Sequence, residues 1–185
     1  MIAVAILNLA YFGVEFGMAL AIGSVSLFAD SIDFLEDAAV NLLISLALGW
    51  GLAARARLGM ALAGVLLIPG IATLLAAWEK FMAPLPPAPI PLSVTGLGAF
   101  AVNFSCAFML ARVRVHGGSL TRAAFLSARN DVLANIAIVA AGVVTAFWRS
   151  GWPDLIVGLG IAALNAGAAR EVWGAAREEH VDARA

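Results

Sequence analysis

Six stretches of about twenty apolar residues run almost end to end through the chain, and that is the length an α-helix needs to cross the hydrocarbon core of a bilayer. They read as Ile2–Ile22, Val25–Leu52, Leu58–Trp78, Ile90–Leu110, Ala123–Phe147 and Pro153–Trp173, separated by short polar or Pro- and Gly-bearing breaks. Backbone groups in lipid must be satisfied within their own helix. The expected fold is therefore all-α, an integral membrane bundle of six transmembrane helices over residues 1–174 with a short cytoplasmic tail at 175–185. A composition of 63 % hydrophobic and 12 % charged residues leaves no segment able to build a separate soluble domain.

The first stretch has the small-x-small pair Ala19 and Ala21 of a signal peptide, but it lacks a basic leader and carries Glu15, so it reads as a helix. Pro69-Gly70 is expected to bend the third helix. Pro84, Pro86, Pro87, Pro89 and Pro91 read as a stiff linker, and Pro153 suits the first turn of the sixth helix. Trp50, Trp78, Trp148, Trp152 and Trp173 fall near span ends, where an aromatic belt is expected.

Eleven basic against twelve acidic residues remove the positive excess that nucleic-acid binding needs, so the expected partners are the lipid bilayer and an ion. The single cysteine, Cys106, can form neither an intrachain disulfide nor a thiolate cage; any metal must be held by oxygen or nitrogen. Lys and Arg stay on the cytoplasmic side of a membrane. Arg55, Arg57, Arg112, Arg114, Arg122, Arg170, Arg177 and Arg184 fall on one side, and only Lys80 and Arg149 on the other. Eight against two puts both termini in the cytoplasm, with the bacterial cytoplasmic (inner) membrane as the expected location.

Six acids sit inside the spans: Glu15 in helix one, Asp30, Asp33, Glu36 and Asp37 in helix two, and Asp131 in helix five. Three aspartates in helix two cost about 8–10 kcal/mol to insert, while its apolar residues return about 4–7. Such a helix needs a polar interior to face, and intramembrane acids mark ion pathways. Asp33, Asp37 and Asn41 share one face at i, i+4, i+8, and Ser127, Asp131 and Asn135 form a matching stripe on helix five. Asp33 and Asp131 each lie nine residues in, from Ser24 and Arg122 at opposite ends, which is roughly 13 Å of rise and close to mid-membrane. If the two antiparallel helices touch, Asp33, Asp37, Asp131 and Ser127 make a four-oxygen cluster suited to a hard divalent cation. The plainer reading of the Ser and Asn members is helix-to-helix hydrogen bonding.

Asp30 either caps the start of helix two or lines a vestibule. Glu36 could pair with Arg129, which falls within helix five. Asn8 and Glu15, seven apart, share a face of helix one and could hydrate an access path; His116 and His180, in a loop and the tail, read as solvated. With no histidine in any span there is no nucleophile–base pair for hydrolysis, so an enzyme is not expected and no cofactor is implied.

The segment Gly23–Asp37, GSVSLFADSIDFLED, resembles helix two of the cation diffusion facilitator family, S-x-S-L-x-A-D-x-x-[HD]-x-x-x-D. Arg122–Asn135, RAAFLSARNDVLAN, resembles its helix five, R-A-A-x-L-H-x-x-x-D, and Trp152–Trp173 is similar to its sixth helix. The resemblance covers the whole chain and implies Asp33, Asp37 and Asp131 as metal ligands, with Ser127 at the place usually held by histidine or aspartate. Zinc-transporting members generally have a histidine among the four. The resemblance implies export of a divalent metal ion from the cytoplasm, commonly in exchange for protons, by a homodimer that alternates between inward-open and outward-open forms. The family's usual cytoplasmic dimerising domain after helix six is not expected here. The alternative left open is a membrane metal-binding sensor or scaffold that keeps the site without the transport cycle.

Overall fold

The computed structural model describes residues 1–47, 71–113 and 118–164, with side chains at all of these except 44, 46, 47, 113 and 118–127. Residues 48–70 and 165–185 lie outside the described residues, and with them the tail, Pro69-Gly70, Trp50, Trp173 and His180; so do His116 and all the arginines counted above except Arg112, Arg122, whose side chain is not described, and Arg149. The described chain is helical, without a strand: α1 (Ile2–Ile22), α2 (Val25–Ala47), α3 (71–82), α4 (Pro89–Val113), α5 (Gly118–Trp148) and α6 (Trp152–Leu164).

Three starts differ from the sequence reading, that of α6 by one residue at Trp152. Helix α4 begins at Pro89, so Pro89 and Pro91 belong to its first turn, where the missing N–H costs no intrahelical bond. Helix α5 begins at Gly118, five residues before Ala123. The α1 bounds agree with the reading at both ends.

Helices α1 and α2 form one antiparallel hairpin and α4 and α5 another; α1 then packs on α4 and α2 on α5, closing a ring of four. Apolar contacts fill it at two levels. Val4, Cys106, Ala107, Leu110 and Ala128 join α1, α4 and α5, while Ala19, Leu27, Leu92, Ile138 and Ile161 cluster farther along. A third cluster, Val25, Ala77 and Leu155, fastens α3 and α6 to the start of α2.

The burial pattern is that of a membrane protein. Ile6, Leu9, Leu20, Leu97, Phe104, Leu133, Ile136 and Ile156 point outward, whereas Asn8, Glu15, Asp30, Asn41, Asn103 and Asn135 are enclosed. In water that arrangement would be inverted; in lipid the apolar rim needs no cover and the polar groups find one another inside. Helices α1, α4 and the Ala128–Trp148 part of α5 are each long and apolar enough to cross a membrane. Helix α2 is long enough but carries four acids, of which Asp30, Asp33 and Asp37 are buried and Glu36 half-buried.

Candidate functional site

The site is held from the start of α2. Gly23 ends α1 in the left-handed conformation, φ 62°, which a side chain would strain, and the Ser24 N–H closes the turn on Ala19 O at 3.0 Å. Ser24 then caps α2, its Oγ accepting the Leu27 N–H at 3.2 Å. The other exposed amides of that end are covered by Asp154 of α6. Its carboxylate accepts from Val25 N at 2.9 Å, Ser26 N at 3.2 Å, and both the Ser24 and Ser26 hydroxyls at 2.6 Å.

Lys80 completes this cap. Its Nζ donates to Gly23 O at 2.7 Å and stands 3.6 Å from Asp154 Oδ2. The sequence reading put Lys80 in a loop on the side opposite the termini. It is instead the buried end of α3, and burial holds its ammonium below the usual lysine range, with Asp154 opposing that shift. Three elements, the end of α1, α3 and α6, thus converge on the first turn of α2.

Along α2, Asp33 and Asp37 turn into the ring with 9 % and 7 % of their surface exposed. Asp131 of α5 approaches both. The charges acting on Asp33 are those of Asp131 first, then Asp30, Glu36 and Asp37, and the Asp131 carboxyl lies within hydrogen-bonding reach of Asp37. The two stripes read from the sequence therefore meet at their aspartates. Two carboxyls at that range need a proton or a cation between them. Among the described residues, no three His, Cys, Asp or Glu groups gather closely enough in this conformation to cage a metal ion. The Ser127 side chain lies outside the described residues.

The asparagines of those stripes hydrogen-bond to other protein groups. Asn41 donates to Asp37 O at 2.9 Å within its own helix. Asn135 accepts from Asn103 Nδ2 at 3.0 Å and donates to Asp30 Oδ2, so an amide chain runs from α4 through α5 to α2. Asp30 is enclosed, well inside the helix, and does not cap α2; the cap belongs to Ser24 and Asp154. Arg129 is exposed on α5 and reaches Asn130 at 3.4 Å, with no ion pair to Glu36: its position on the outer face of α5 turns it away from α2. Asn8 and Glu15 are both fully enclosed; Asn8 Oδ1 faces Cys106 Sγ at 3.5 Å.

Asp154 and Asn103 are the residues that sequence reasoning missed. Asp154 follows Pro153 at the start of a span, where an acid passes for a solvated end residue, and the signal that could have found it is the Ser24-x-Ser26 pair needing an acceptor. Asn103 is a lone amide in an apolar span, the kind of group that seeks a partner on a neighbouring helix.

The chain matches the model of the cation efflux transmembrane domain over residues 1–173. No curated protein matches it. A match that begins at the first residue and runs through all six helices cannot come from one shared motif, and with apolar spans enclosing a line of acids it settles the point: this integral membrane protein belongs to the cation efflux transmembrane domain family, which are transporters rather than enzymes.

Proposed function

We propose that the chain exports a divalent metal ion from the cytoplasm, coupled to proton entry, by alternating access. The observation that carries this reading is the meeting of Asp131 with Asp33 and Asp37 inside the four-helix ring. Ionised carboxylates bind a hard cation and lose it on protonation, so a proton gradient can drive release. Asp33, Asp37 and Asp131 are the ligands and Ser127 the fourth, weaker one. Asn41, Asn135, Asp30, Glu15 and Asn8 surround the path.

The metal is substrate, and no resident cofactor takes part. The working unit is a homodimer in the bacterial cytoplasmic (inner) membrane, with both termini cytoplasmic and residues 175–185 as a tail. Without histidine among the ligands, oxygen-preferring ions such as Mn2+ fit the set better than zinc.

The test is uptake into proteoliposomes bearing the chain, with Mn2+, Co2+ and Zn2+ in competition and a pH gradient imposed. Asp37→Asn and Asp131→Asn should each abolish uptake while the bundle stays folded. Wild-type uptake by both variants would refute the site. Metal binding without uptake in the unmodified chain would leave a membrane metal-binding protein in place of a transporter.

A further inference from the structure

About one helical turn from Asp33 toward the Ser24 end of α2, a second pair of acids is enclosed. Glu15 of α1 and Asp30 of α2 are both 0 % exposed. Asp30 Oδ2 accepts from Asn135 Nδ2, and Asn135 is itself oriented by the Asn103 amide. That chain of amides fixes Oδ2 as an acceptor. No donor reaches the other Asp30 oxygen, Oδ1, or either oxygen of Glu15, and the two carboxyls lie within hydrogen-bonding reach of each other. The charges acting on Glu15 are those of Asp30 first and then Asp33.

Three carboxylate oxygens thus share an enclosed interior without a donor, and among the described residues no cationic side chain pairs with them. Among the described residues Lys80 is committed to Gly23 and Asp154, and Arg112, Arg129 and Arg149 are exposed. Two ionised carboxylates face to face in such a place repel strongly, whereas one proton turns the same pair into an O–H···O bond. A metal ion fits less well, since two acids and an amide that is already a donor fall short of a coordination shell, and the described residues offer no third acid to close one.

We propose that Glu15 and Asp30 form a proton-binding pair, separate from the metal ligands, that holds one proton when no metal is bound and releases it when a divalent cation arrives at Asp33, Asp37 and Asp131. This inference rests on the transport reading above. In the step, one carboxyl O–H bond breaks, the proton passes to water as hydronium, and a carboxylate remains; the reverse occurs when the metal leaves. Neither member of the pair hydrogen-bonds to Asp33, Asp37 or Asp131, so communication is through charge across one turn. The titratable groups facing the pair are Tyr11 on α1, Asp33 and Asp37 on α2 and Asp131 on α5. On α4, Cys106 lies by Asn8 and Arg112 over the exposed Phe108 ring. Lys80 and Asp154, from α3 and α6, are paired at the α2 cap.

Calorimetric titration of the full chain in detergent micelles with Mn2+, and separately with Zn2+, tests this. Two buffers of different ionisation enthalpy give the protons released per metal. The wild type should release one more proton per metal than Glu15→Gln, and its apparent affinity should rise with pH by a further factor of about ten per pH unit. Asp30→Asn, which keeps an oxygen for Asn135, should behave as Glu15→Gln does and guards against a folding defect in either one. Equal proton release by wild type and both variants overturns the pair. A variant that binds one metal ion fewer also overturns it, since the pair would then be a metal site. A wild type that binds neither ion overturns the transport reading and this inference together.

Discussion

Replacing Asp154 with asparagine keeps the side chain's shape and removes its charge, and the contacts around it fix what that costs. One oxygen serves Val25 N and stands by Lys80; the other serves Ser26 N and the two serine hydroxyls. Whichever way the new amide turns, its NH2 faces a backbone N–H of the α2 cap. One buried donor is then left without an acceptor, at about 1–3 kcal/mol. Lys80 meanwhile loses its counter-charge while 8 % exposed. Breaking a buried pair from one side costs about 3–5 kcal/mol, reduced here because Lys80 still donates to Gly23 O. The expected total is about 3–5 kcal/mol. SDS-driven unfolding in mixed micelles, followed by tryptophan fluorescence, measures it. A loss below about 1 kcal/mol would show that the amides of this cap are satisfied in some other way, and the account of α2 anchoring would be wrong.

Gly158→Ala should destabilise by about 1–3 kcal/mol in the same assay, because the new Cβ would lie 2.8 Å from Val25 C and 2.9 Å from Ser26 N, backbone atoms that the cap holds in place. Gly160→Ala, with nothing within 4 Å, should be neutral or stabilising by up to about 1 kcal/mol through helix propensity. For Lys80, a folded-state pKa below the ordinary 10.5 means that the unfolded chain binds more protons between the two values, so stability should rise with pH in that window; Lys80→Met should flatten the rise. Asn103→Leu should cost about 1–3 kcal/mol, since Asn135 Oδ1 loses its donor in an enclosed position. Ser127→His should move competition in the transport assay toward zinc by adding an imidazole ligand.

The parts of this molecule that follow from one helix at a time are legible in its sequence. Span lengths, the inward face of α2 and the i, i+4 stripes depend on local periodicity, and the α1 bounds and the Asp131–Asp37 approach agree with that reading. What depends on two helices at once is not. Asp30 and Asn135 both fell on polar faces, yet nothing in the sequence says that they bond to each other, because their relative height depends on the packing of α2 against α5. Lys80 reads as a loop charge until α6 brings Asp154 beside it. Arg129 could as well have faced inward; five residues more at the start of α5 say nothing about its rotation, and only the ring does.

The bonds along α2 are unevenly distributed, and that bears on how a transport cycle would move it. At the Ser24 end its cap is tied to α6 and α3, and one and a half turns later Asp30 is tied to α5. From Asn41 onward the side-chain hydrogen bonds described stay within the helix, Asn41 to Asp37 O and Ser45 to Asn41 O. A helix fixed at one end, whose described side-chain hydrogen bonds at the other stay within itself, swings about the fixed end, since shifting apolar contacts leaves no buried donor unpaired. Cysteines placed at Ser31 and Ser45 in a Cys106→Ala background should therefore differ in labelling by a thiol reagent. The rate at position 45 should change several-fold on adding Mn2+, and that at position 31 should stay constant. A larger change at 31 would put the moving end at the cap and reverse the assignment of pivot and arm.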